Sequence, residues 1–188
     1  MIIFDLDGTL ADCEHRRHFI DPIKSGLVWA GREGAYCGNW TKNGIAVKWK
    51  PDWRSFYESC SEDLVIKPTA SIFIFLLFHR CAIEIWSGRC ESVRAKTEAW
   101  IIDKVLFGND LMLPKLKMRP KGDSTPDDVL KQTWLNERCS DLLEAKIEGR
   151  NPIKHDIEYV FDDRPKVVRL WRNRGIFVFN CCQNDEEF

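Results

Sequence analysis

The sequence lacks the features that define several large classes of protein. Its eight cysteines form no Cys-x-x-Cys pair, and adjacent cysteines such as Cys181 and Cys182 are poorly spaced for a bridge, so we expect reduced thiols. No Gly-x-x-x-x-Gly-Lys-Ser/Thr loop occurs, which excludes a P-loop nucleotide site. The longest strongly apolar run, Ile72–Phe78, is far shorter than the ~20 residues that a membrane-spanning helix needs.

The charge balance is almost neutral. The chain has 28 Lys and Arg against 29 Asp and Glu, a net charge of −1, so any contact with nucleic acid would need a local basic patch. The first predicted strand begins at residue 2, which leaves no room for a signal peptide, and we expect a cytoplasmic protein. The 188 residues suit one domain with a modest insertion.

The chain opens on a pair of carboxylates after an apolar run. Ile2–Phe4 predicts a short buried strand, and Asp5 and Asp7 follow it, with Gly8 and Thr9 favouring a turn. A spacing of two residues in extended chain points both carboxylates to the same side. Because like charges at a strand end repel each other and hard cations take oxygen ligands, the pair predicts half of a Mg2+ site.

A second strand ends in a hydroxyl. Cys81–Trp86 predicts a buried strand, Ser87, Gly88 and Arg89 follow, and a helix is expected from about Glu91. A hydroxyl and main-chain amides before a helix can bind an anion. The alternative is that Ser87 only caps the helix.

Two further groups of charged residues follow predicted elements. A helix from about Pro126 to Cys139 puts Lys131 on one face with Asp127 and Asp128, although an ordinary surface ion pair would also explain that spacing. Tyr159–Phe161 predicts another short strand, and Asp162 and Asp163 come directly after it. Carboxylates at a second strand end repeat the pattern at the start of the chain.

These groups, in this order, resemble the signatures of the haloacid dehalogenase superfamily, whose members are mostly Mg2+-dependent phosphohydrolases. The resemblance implies an α/β fold with a doubly wound, Rossmann-like parallel sheet across residues 1–188. It also implies that Asp5 attacks phosphorus and Asp7 acts as acid and base. The implied metal ligands are Asp5, the Asp7 carbonyl and Asp162. Ser87, Gly88 and Lys131 would hold the phosphate, with Asp163 supporting the metal or Lys131.

The second half resembles the phosphatase domain of phage-type polynucleotide kinase more closely. The matching segments are Met118-Arg119 with Gly122-Asp123, Asp127–Lys131 and Phe161–Val168. That resemblance implies removal of 3′-phosphates from nucleic-acid ends and nucleotides. It adds Arg89, Arg119 and Arg16 as phosphate contacts and Asp128 as a supporting carboxylate.

Residues 11–66 differ in composition from the rest, with many Gly, Trp, Lys and Arg residues. The position directly after the first motif predicts a small cap over the active site, which in this superfamily selects the substrate. The aromatic and cationic residues could stack on and neutralise nucleic acid, or simply pack and solvate the cap. They are Trp40, Lys42, Lys48, Trp49, Lys50, Trp53 and Arg54.

The leading functional hypothesis is a Mg2+-dependent phosphatase acting on nucleotides or on 3′-phosphate ends of nucleic acid. A general small-metabolite or 5′-nucleotide phosphatase is the first alternative. A catalytically silent module that holds nucleic acid through the insertion is an alternative of another class, and the pair Asp5 and Asp7 argues against it. The sequence leaves the oligomeric state undecided, and we expect no membrane partner.

Overall fold

The computed structural model describes residues 1–29, 40–108, 111–147 and 156–182. These residues form two compact units. One unit consists of Met1–Asp12 and Val65–Phe188, and we call it the core unit. The other, Cys13–Leu64, lies within the predicted insertion, and we call it the insertion unit. No helix in the described ranges has both the length and the apolar character needed to cross a membrane.

The strands and helices are named in chain order. The strands are β1 (Ile2–Phe4), β2 (Ala11–Asp12), β3 (Val28–Trp29), β4 (Trp40–Lys42), β5 (Ile45–Val47), β6 (Leu64–Val65), β7 (Ile83–Cys90), β8 (Lys115–Arg119), β9 (Tyr159–Asp162) and β10 (Phe177–Asn180). The α-helices are α1 (Trp53–Glu58), α2 (Lys67–Phe78), α3 (Arg94–Trp100), α4 (Asp127–Ile147) and α5 (Pro165–Asn173). Short 3-10 helices cover Glu14–Phe19, Ser59–Glu62 and Glu91–Val93, and a π-helical segment covers Ile101–Val105.

The core unit contains a five-stranded parallel sheet in the order β10-β9-β1-β7-β8. The chain leaves β1 towards β7 and β8, then crosses back to β9 and β10 on the other side. Strand β1 therefore lies at the point where the direction of winding reverses, the place where open α/β sheets bind their ligands. The predicted doubly wound parallel sheet is confirmed.

Alternate residues of β1 pack on opposite faces of the sheet, as the pleat requires. Ile3 belongs to a buried cluster with Trp134 of α4 and Trp171 of α5. On the other face the Phe4 ring contacts Phe73 of α2, with the ring centroids 5.0 Å apart. Helices on both faces explain why all three residues of β1 are buried.

The glycines between Lys24 and Val47 predict an irregular stretch, but the insertion unit has a small sheet there. Strands β3, β4 and β5 pair antiparallel in that order, with a left-handed Asn43 and Gly44 at the turn between β4 and β5. Strands this short carry too little periodicity to be found from sequence. Part of that prediction, including the glycines at 31, 34 and 38, lies outside the described residues.

Other predicted boundaries also need correction. Strand β7 continues to Cys90 instead of ending at Trp86, and the following helix is divided into 3-10, α and π segments. Helix α4 extends to Ile147. The apolar residues on nearly all sides of α2 predict a buried helix, which is wrong, because Phe75 and Phe78 are 61% and 73% exposed. The sequence also predicts a loose acidic tail over Cys181–Phe188, and its part from residue 183 onward lies outside the described residues.

Candidate active site

Strand register brings the first carboxylate beside the last pair. Phe4 is aligned with Phe161, and the Asp5 N–H donates to the Phe161 carbonyl at 2.9 Å, so Asp5 lies next to Asp162 at the end of β9. One carboxylate oxygen from each of Asp5, Asp162 and Asp163 lies within 4.8 Å of the others. All three residues are buried.

Burial and neighbouring charge raise the pKa values of two of these carboxylates, Asp5 and Asp163. Burial raises the pKa of Asp5 well above its ordinary value, and the charges of Asp162 and Asp163 add to this, while Lys131 opposes it. Burial and the neighbouring Asp162 raise the pKa of Asp163 from 3.8 to about 7. The cluster therefore holds more negative charge than its surroundings stabilise.

Lys131 of α4 is the cation in contact with this cluster. Its Nζ donates to Asp5 Oδ1 at 2.6 Å and to Asp162 Oδ2 at 2.8 Å, and the residue is 1% exposed. Burial alone would lower the pKa of Lys131, but Asp162 and Asp5 outweigh it and hold that pKa above the ordinary value. The alternative of an ordinary surface ion pair is wrong.

Asp7 pairs with an arginine and is not part of the carboxylate cluster. Asp7 Oδ1 accepts from Arg89 Nε at 2.9 Å and from the second terminal nitrogen of the same guanidinium at 2.5 Å. Arg89 is fully buried, and its guanidinium carbon lies 5.7 Å from the centre of the Trp100 ring. The sequence-based prediction that Asp7 contributes its main-chain carbonyl to a metal stays a prediction.

Ser87 is part of the strand and does not cap the helix. The Arg89 N–H donates to Ser87 Oγ at 3.1 Å, and Ser87 is fully buried. Cys90 stands at the N-cap position of the next helical segment. The register between β7 and β8 shifts between Ser87 and Cys90, which is a bulge at the end of the strand. The helix-cap alternative for Ser87 is therefore wrong.

Asp127 holds two arginines together. The Arg119 guanidinium donates to Asp127 Oδ1 and to the Thr125 carbonyl, and its Nε donates to the Gly88 carbonyl at 2.9 Å. Arg164 lies 2.7 Å from the other Asp127 oxygen. Gly88 allows this approach, because a Cβ there would come within 2.6 Å of Asp127 Oδ1.

Asp127 and Arg164 were not predicted as site residues from the sequence, whereas Asp128 was. Asp128 is half-buried, and no ion pair in the described part of the chain includes it, so we leave Asp128 out of the candidate site. Helical spacing could not separate the two, because residues three apart and four apart both share a face with Lys131. The contacts of Asp127 with Arg119 and Arg164 make the distinction.

The first turn of the chain packs directly on Asp163. Gly8 has φ +85°, and a Cβ on it would lie 2.0 Å from Asp163 Oδ2. The Thr9 hydroxyl donates to Asp163 Oδ1 at 3.4 Å. The neighbouring Asp162 accepts from the Arg164 main-chain N–H at 3.2 Å and from Trp171 Nε1 at 3.3 Å. These contacts fix the positions of both carboxylates.

Arg16 has a structural role inside the insertion unit, and its expected contact with phosphate finds no support there. The side chain is fully buried. Its Nε and a terminal nitrogen donate to Asp63 at 2.7 and 2.8 Å, and the other terminal nitrogen donates to the Phe56 carbonyl at 3.1 Å. We therefore leave Arg16 out of the candidate site.

The donor set of the cluster suits a hard divalent cation. Three buried carboxylates supply only oxygen ligands, which Mg2+ and similar ions prefer. Lys131 contacts two of them, yet burial and mutual repulsion still hold the pKa values of Asp5 and Asp163 above their ordinary value. A bound cation would remove that repulsion.

The parallel sheet and its carboxylate edge define the class of protein as a haloacid dehalogenase-like phosphatase fold. Among solved structures, a chain in the Pnkp1/Rnl/Hen1 RNA repair complex aligns over 98% of this chain and 43% of its own length, with a TM-score of 0.59 and 20% identity. CbbY from Rhodobacter sphaeroides, solved in complex with phosphate, aligns over 98% and 88%, with a TM-score of 0.51 and 15% identity. These likenesses concern the fold.

Sequence similarity identifies the family within that class. Residues 49–186 match the model of the polynucleotide kinase PNKP phosphatase domain, and the chain belongs to this family. A protein of Autographa californica nuclear polyhedrosis virus, assigned as a bifunctional polynucleotide kinase/RNA ligase, is 36% identical over 111 residues. The match covers 58% of this chain and 14% of that protein. The predicted membership of the superfamily and the closer resemblance are confirmed.

Proposed function

We propose that the chain is a Mg2+-dependent phosphomonoesterase that removes 3′-phosphates from nucleic-acid ends or nucleotides through an aspartyl-phosphate on Asp5. The observation that carries the proposal is the buried cluster of Asp5, Asp162 and Asp163 with Lys131 only 2.6 Å from Asp5. Membership of a phosphatase family supports the reaction class.

The chemistry needs this concentration of charge. A phosphomonoester dianion repels a carboxylate nucleophile, so cations must offset both before they can react. Bound Mg2+ would act as a Lewis acid and a template for the phosphate. The residues that would hold it are Asp5, Asp162 and Asp163, with the Asp7 carbonyl as the ligand implied by the superfamily. Lys131 adds positive charge beside the nucleophile.

The reaction divides one difficult displacement into two steps. An Asp5 oxygen attacks phosphorus, the new O–P bond forms, and the bond from phosphorus to the ester oxygen breaks. The leaving oxygen takes its proton from Asp7. Water then gives a proton to Asp7 and attacks the aspartyl-phosphate, which releases inorganic phosphate and restores the Asp5 carboxylate.

Arg89 gives Asp7 its orientation. Two hydrogen bonds from its guanidinium hold the Asp7 carboxylate in place. The acid role needs a proton on Asp7, so Arg89 has to exchange this contact for the substrate phosphate when substrate binds. A phosphate dianion competes well, because it offers a guanidinium more negative charge than a carboxylate does.

A phosphate-release panel tests the proposal. We would compare a 3′-phosphorylated oligonucleotide, 3′- and 5′-mononucleotides and sugar phosphates, each with Mg2+ and with chelator. Mg2+-dependent release that favours the 3′-phosphorylated oligonucleotide supports the proposal. A preference for 5′-nucleotides or sugar phosphates would move the assignment to a general phosphatase. Oligonucleotide binding without any phosphate release would indicate a silent binding module.

Asp5→Asn tests the assignment of the nucleophile. We expect kcat to fall by at least about 10³-fold, because the amide cannot form the phosphoenzyme. Asp128→Asn is the matched control, since it makes the same chemical change on a residue outside the ion-pair network, and it should keep kcat within a few-fold. Unchanged turnover in Asp5→Asn would refute the role of Asp5.

A further inference from the structure

An unusual combination of side chains occurs along the stretch of the insertion unit from Trp40 to Tyr57. We call this stretch the basic-aromatic surface. It contains four cations and a single carboxylate, Asp52. The cations are Lys42, Lys48, Lys50 and Arg54, and all four are exposed. The local charge contrasts with a chain whose net charge is −1.

The one carboxylate in this stretch already serves the fold. Asp52 is the N-cap of α1, where Oδ1 accepts from the Ser55 N–H at 3.0 Å and Oδ2 from the Ser55 hydroxyl at 2.7 Å. Lys42, Lys48 and Lys50 form no ion pair with a carboxylate of the described residues, whereas Arg54 interacts electrostatically with Asp52. Their charge therefore faces solvent, where it can attract a polyanion.

Aromatic residues alternate with these cations along the chain. Trp29 and Trp40 stand opposite each other across β3 and β4, with ring centroids 5.1 Å apart, and both are half-buried. Lys42 lies two residues after Trp40 and therefore on the same side of the sheet. Trp53 on α1 is 48% exposed and stacks on Tyr57 at 6.0 Å.

We infer that the basic-aromatic surface binds single-stranded nucleic acid, with lysines on phosphates and Trp53 available to a base. Single-stranded binding sites combine a cationic groove with aromatic rings, since every base offers a π face. Packing alone would explain rings that are covered. It leaves unexplained why about half of the Trp53 surface remains exposed among exposed cations.

This inference rests on the proposed function in one respect, the choice of nucleic acid as the polyanion that binds. A phosphatase for nucleic-acid ends gains affinity by holding the chain as well as its terminal phosphate, whereas a mononucleotide phosphatase has no chain to hold. The inference therefore narrows the substrate class to single-stranded ends longer than one nucleotide. An anionic membrane would attract the same charges, so lipid vesicles belong in the test.

The first experiment measures binding without turnover. A fluorescein-labelled single-stranded oligonucleotide lacking a 3′-phosphate is titrated with full-length protein at several salt concentrations. Each lysine on a phosphate contributes roughly 0.7 to the slope of log K against log salt, so Lys48→Gln with Lys50→Gln should reduce the magnitude of that slope by about 1.4. The matched control, Lys67→Gln with Lys104→Gln, removes the same charge from exposed positions of the core unit and should leave the slope unchanged.

The aromatic contribution is tested at Trp53. Trp53→Ala should weaken oligonucleotide binding roughly 5-fold or more, because a stacked base contributes at least about 1 kcal/mol. Trp53→Phe keeps a stacking surface and should restore most of the affinity, a rescue that a purely structural role for Trp53 would not predict. Thermal melting of both variants confirms that the insertion unit remains folded.

The second experiment links binding to catalysis. With a 3′-phosphorylated oligonucleotide, the double-lysine variant should raise KM at low salt and leave kcat unchanged. If phosphate is released but the variants bind the oligonucleotide as tightly as the wild type does, this inference is wrong and the proposed function stands. If the variants bind the oligonucleotide more weakly but even the wild type releases no phosphate, the proposed function is wrong and this inference stands. Binding to vesicles of phosphatidylserine and phosphatidylcholine but not to oligonucleotide would also overturn the inference.

Discussion

At the scale of single residues, the site concentrates negative charge that the folded chain only partly neutralises. Asp5, Asp162 and Asp163 lie within 4.8 Å of one another, and Lys131 contacts only the first two. Burial and mutual repulsion raise the pKa values of Asp5 and Asp163. Such perturbed groups cluster at functional sites, where stability is exchanged for reactivity.

The pKa of Asp163 predicts how stability changes with pH. Burial, with the Asp162 charge, raises it from 3.8 to about 7, so the folded metal-free protein binds this proton more tightly than the unfolded chain does. Its stabilising contribution is complete below about pH 4 and is lost as the pH rises to about 7, at about 1.4 kcal/mol per unit of pKa difference. We expect the melting temperature of Asp163→Asn in chelator to exceed that of the wild type at pH 8 and to approach it at pH 4.

The comparison uses thermal melting at both pH values in the same buffer series. Asp128→Asn serves as the control, because its carboxylate is outside the cluster and the pH profile should match that of the wild type. An Asp163→Asn profile that parallels the wild type from pH 4 to pH 8 would contradict the raised pKa.

Gly8 sets how closely the first turn approaches the site. Its φ of +85° is unfavourable for any residue with a Cβ, and the added atom would lie 2.0 Å from Asp163 Oδ2. We expect Gly8→Ala to lower the free energy of unfolding by at least about 2 kcal/mol and to reduce kcat. Chemical denaturation and steady-state kinetics measure the two effects.

Gly175→Ala separates backbone strain from crowding. Gly175 has φ +71° with nothing within 4 Å of an added Cβ, so the alanine costs about 1 kcal/mol and leaves kcat unchanged. Equal effects of the two substitutions on kcat would show that the approach of Gly8 to Asp163 is unimportant.

At the scale of elements, α2 carries apolar residues on nearly all sides but buries only some of them. Phe73 is fully buried against Phe4, whereas Phe75 is 61% exposed. Phe73→Ala should lower the free energy of unfolding by about 3–5 kcal/mol, and Phe75→Ala by less than about 1 kcal/mol. Denaturant titrations of the two variants test this directly, since both make the same truncation two residues apart. Similar losses would contradict the one-sided packing of α2.

At the scale of the whole molecule, the site draws on segments far apart in the chain. Asp5 follows β1, Lys131 comes from α4, and Asp162 ends β9, so a cation bound there links parts of the core unit that are separate in sequence. Because such a cation binds the folded state only, we expect the melting temperature to rise progressively with Mg2+ concentration. At 100 times the dissociation constant of Mg2+, the free energy of unfolding should increase by about 2.7 kcal/mol.

The control for this prediction is Asp162→Asn, which removes one proposed ligand. It should lose most of the Mg2+-dependent shift, whereas Asp128→Asn should keep it. Chelator should abolish phosphate release and Mg2+ should restore it. A melting temperature that does not respond to Mg2+ in the wild-type protein would argue against the proposed cation.

Much of the core unit could be predicted because its signals are local. Apolar runs followed by paired carboxylates identify β1 and β9, and the family resemblance that the motifs carry implies the parallel sheet. Errors arose where neighbours in space decide the outcome. No local pattern shows that one face of α2 is exposed, and none identifies the short strands of the insertion unit. Asp127 is distinguished from Asp128 only by its contacts with Arg119 and Arg164.

The sequence by itself determined which chemical groups the protein can use and the order in which they occur, since residue types and strand signals are properties of short segments. Only the tertiary structure decided their partners. The alignment of Phe4 with Phe161 brings Asp5 beside Asp162, and α4 places Lys131 on both. Distances between residues more than a hundred positions apart depend on the packing of the whole sheet, because no local interaction sets them.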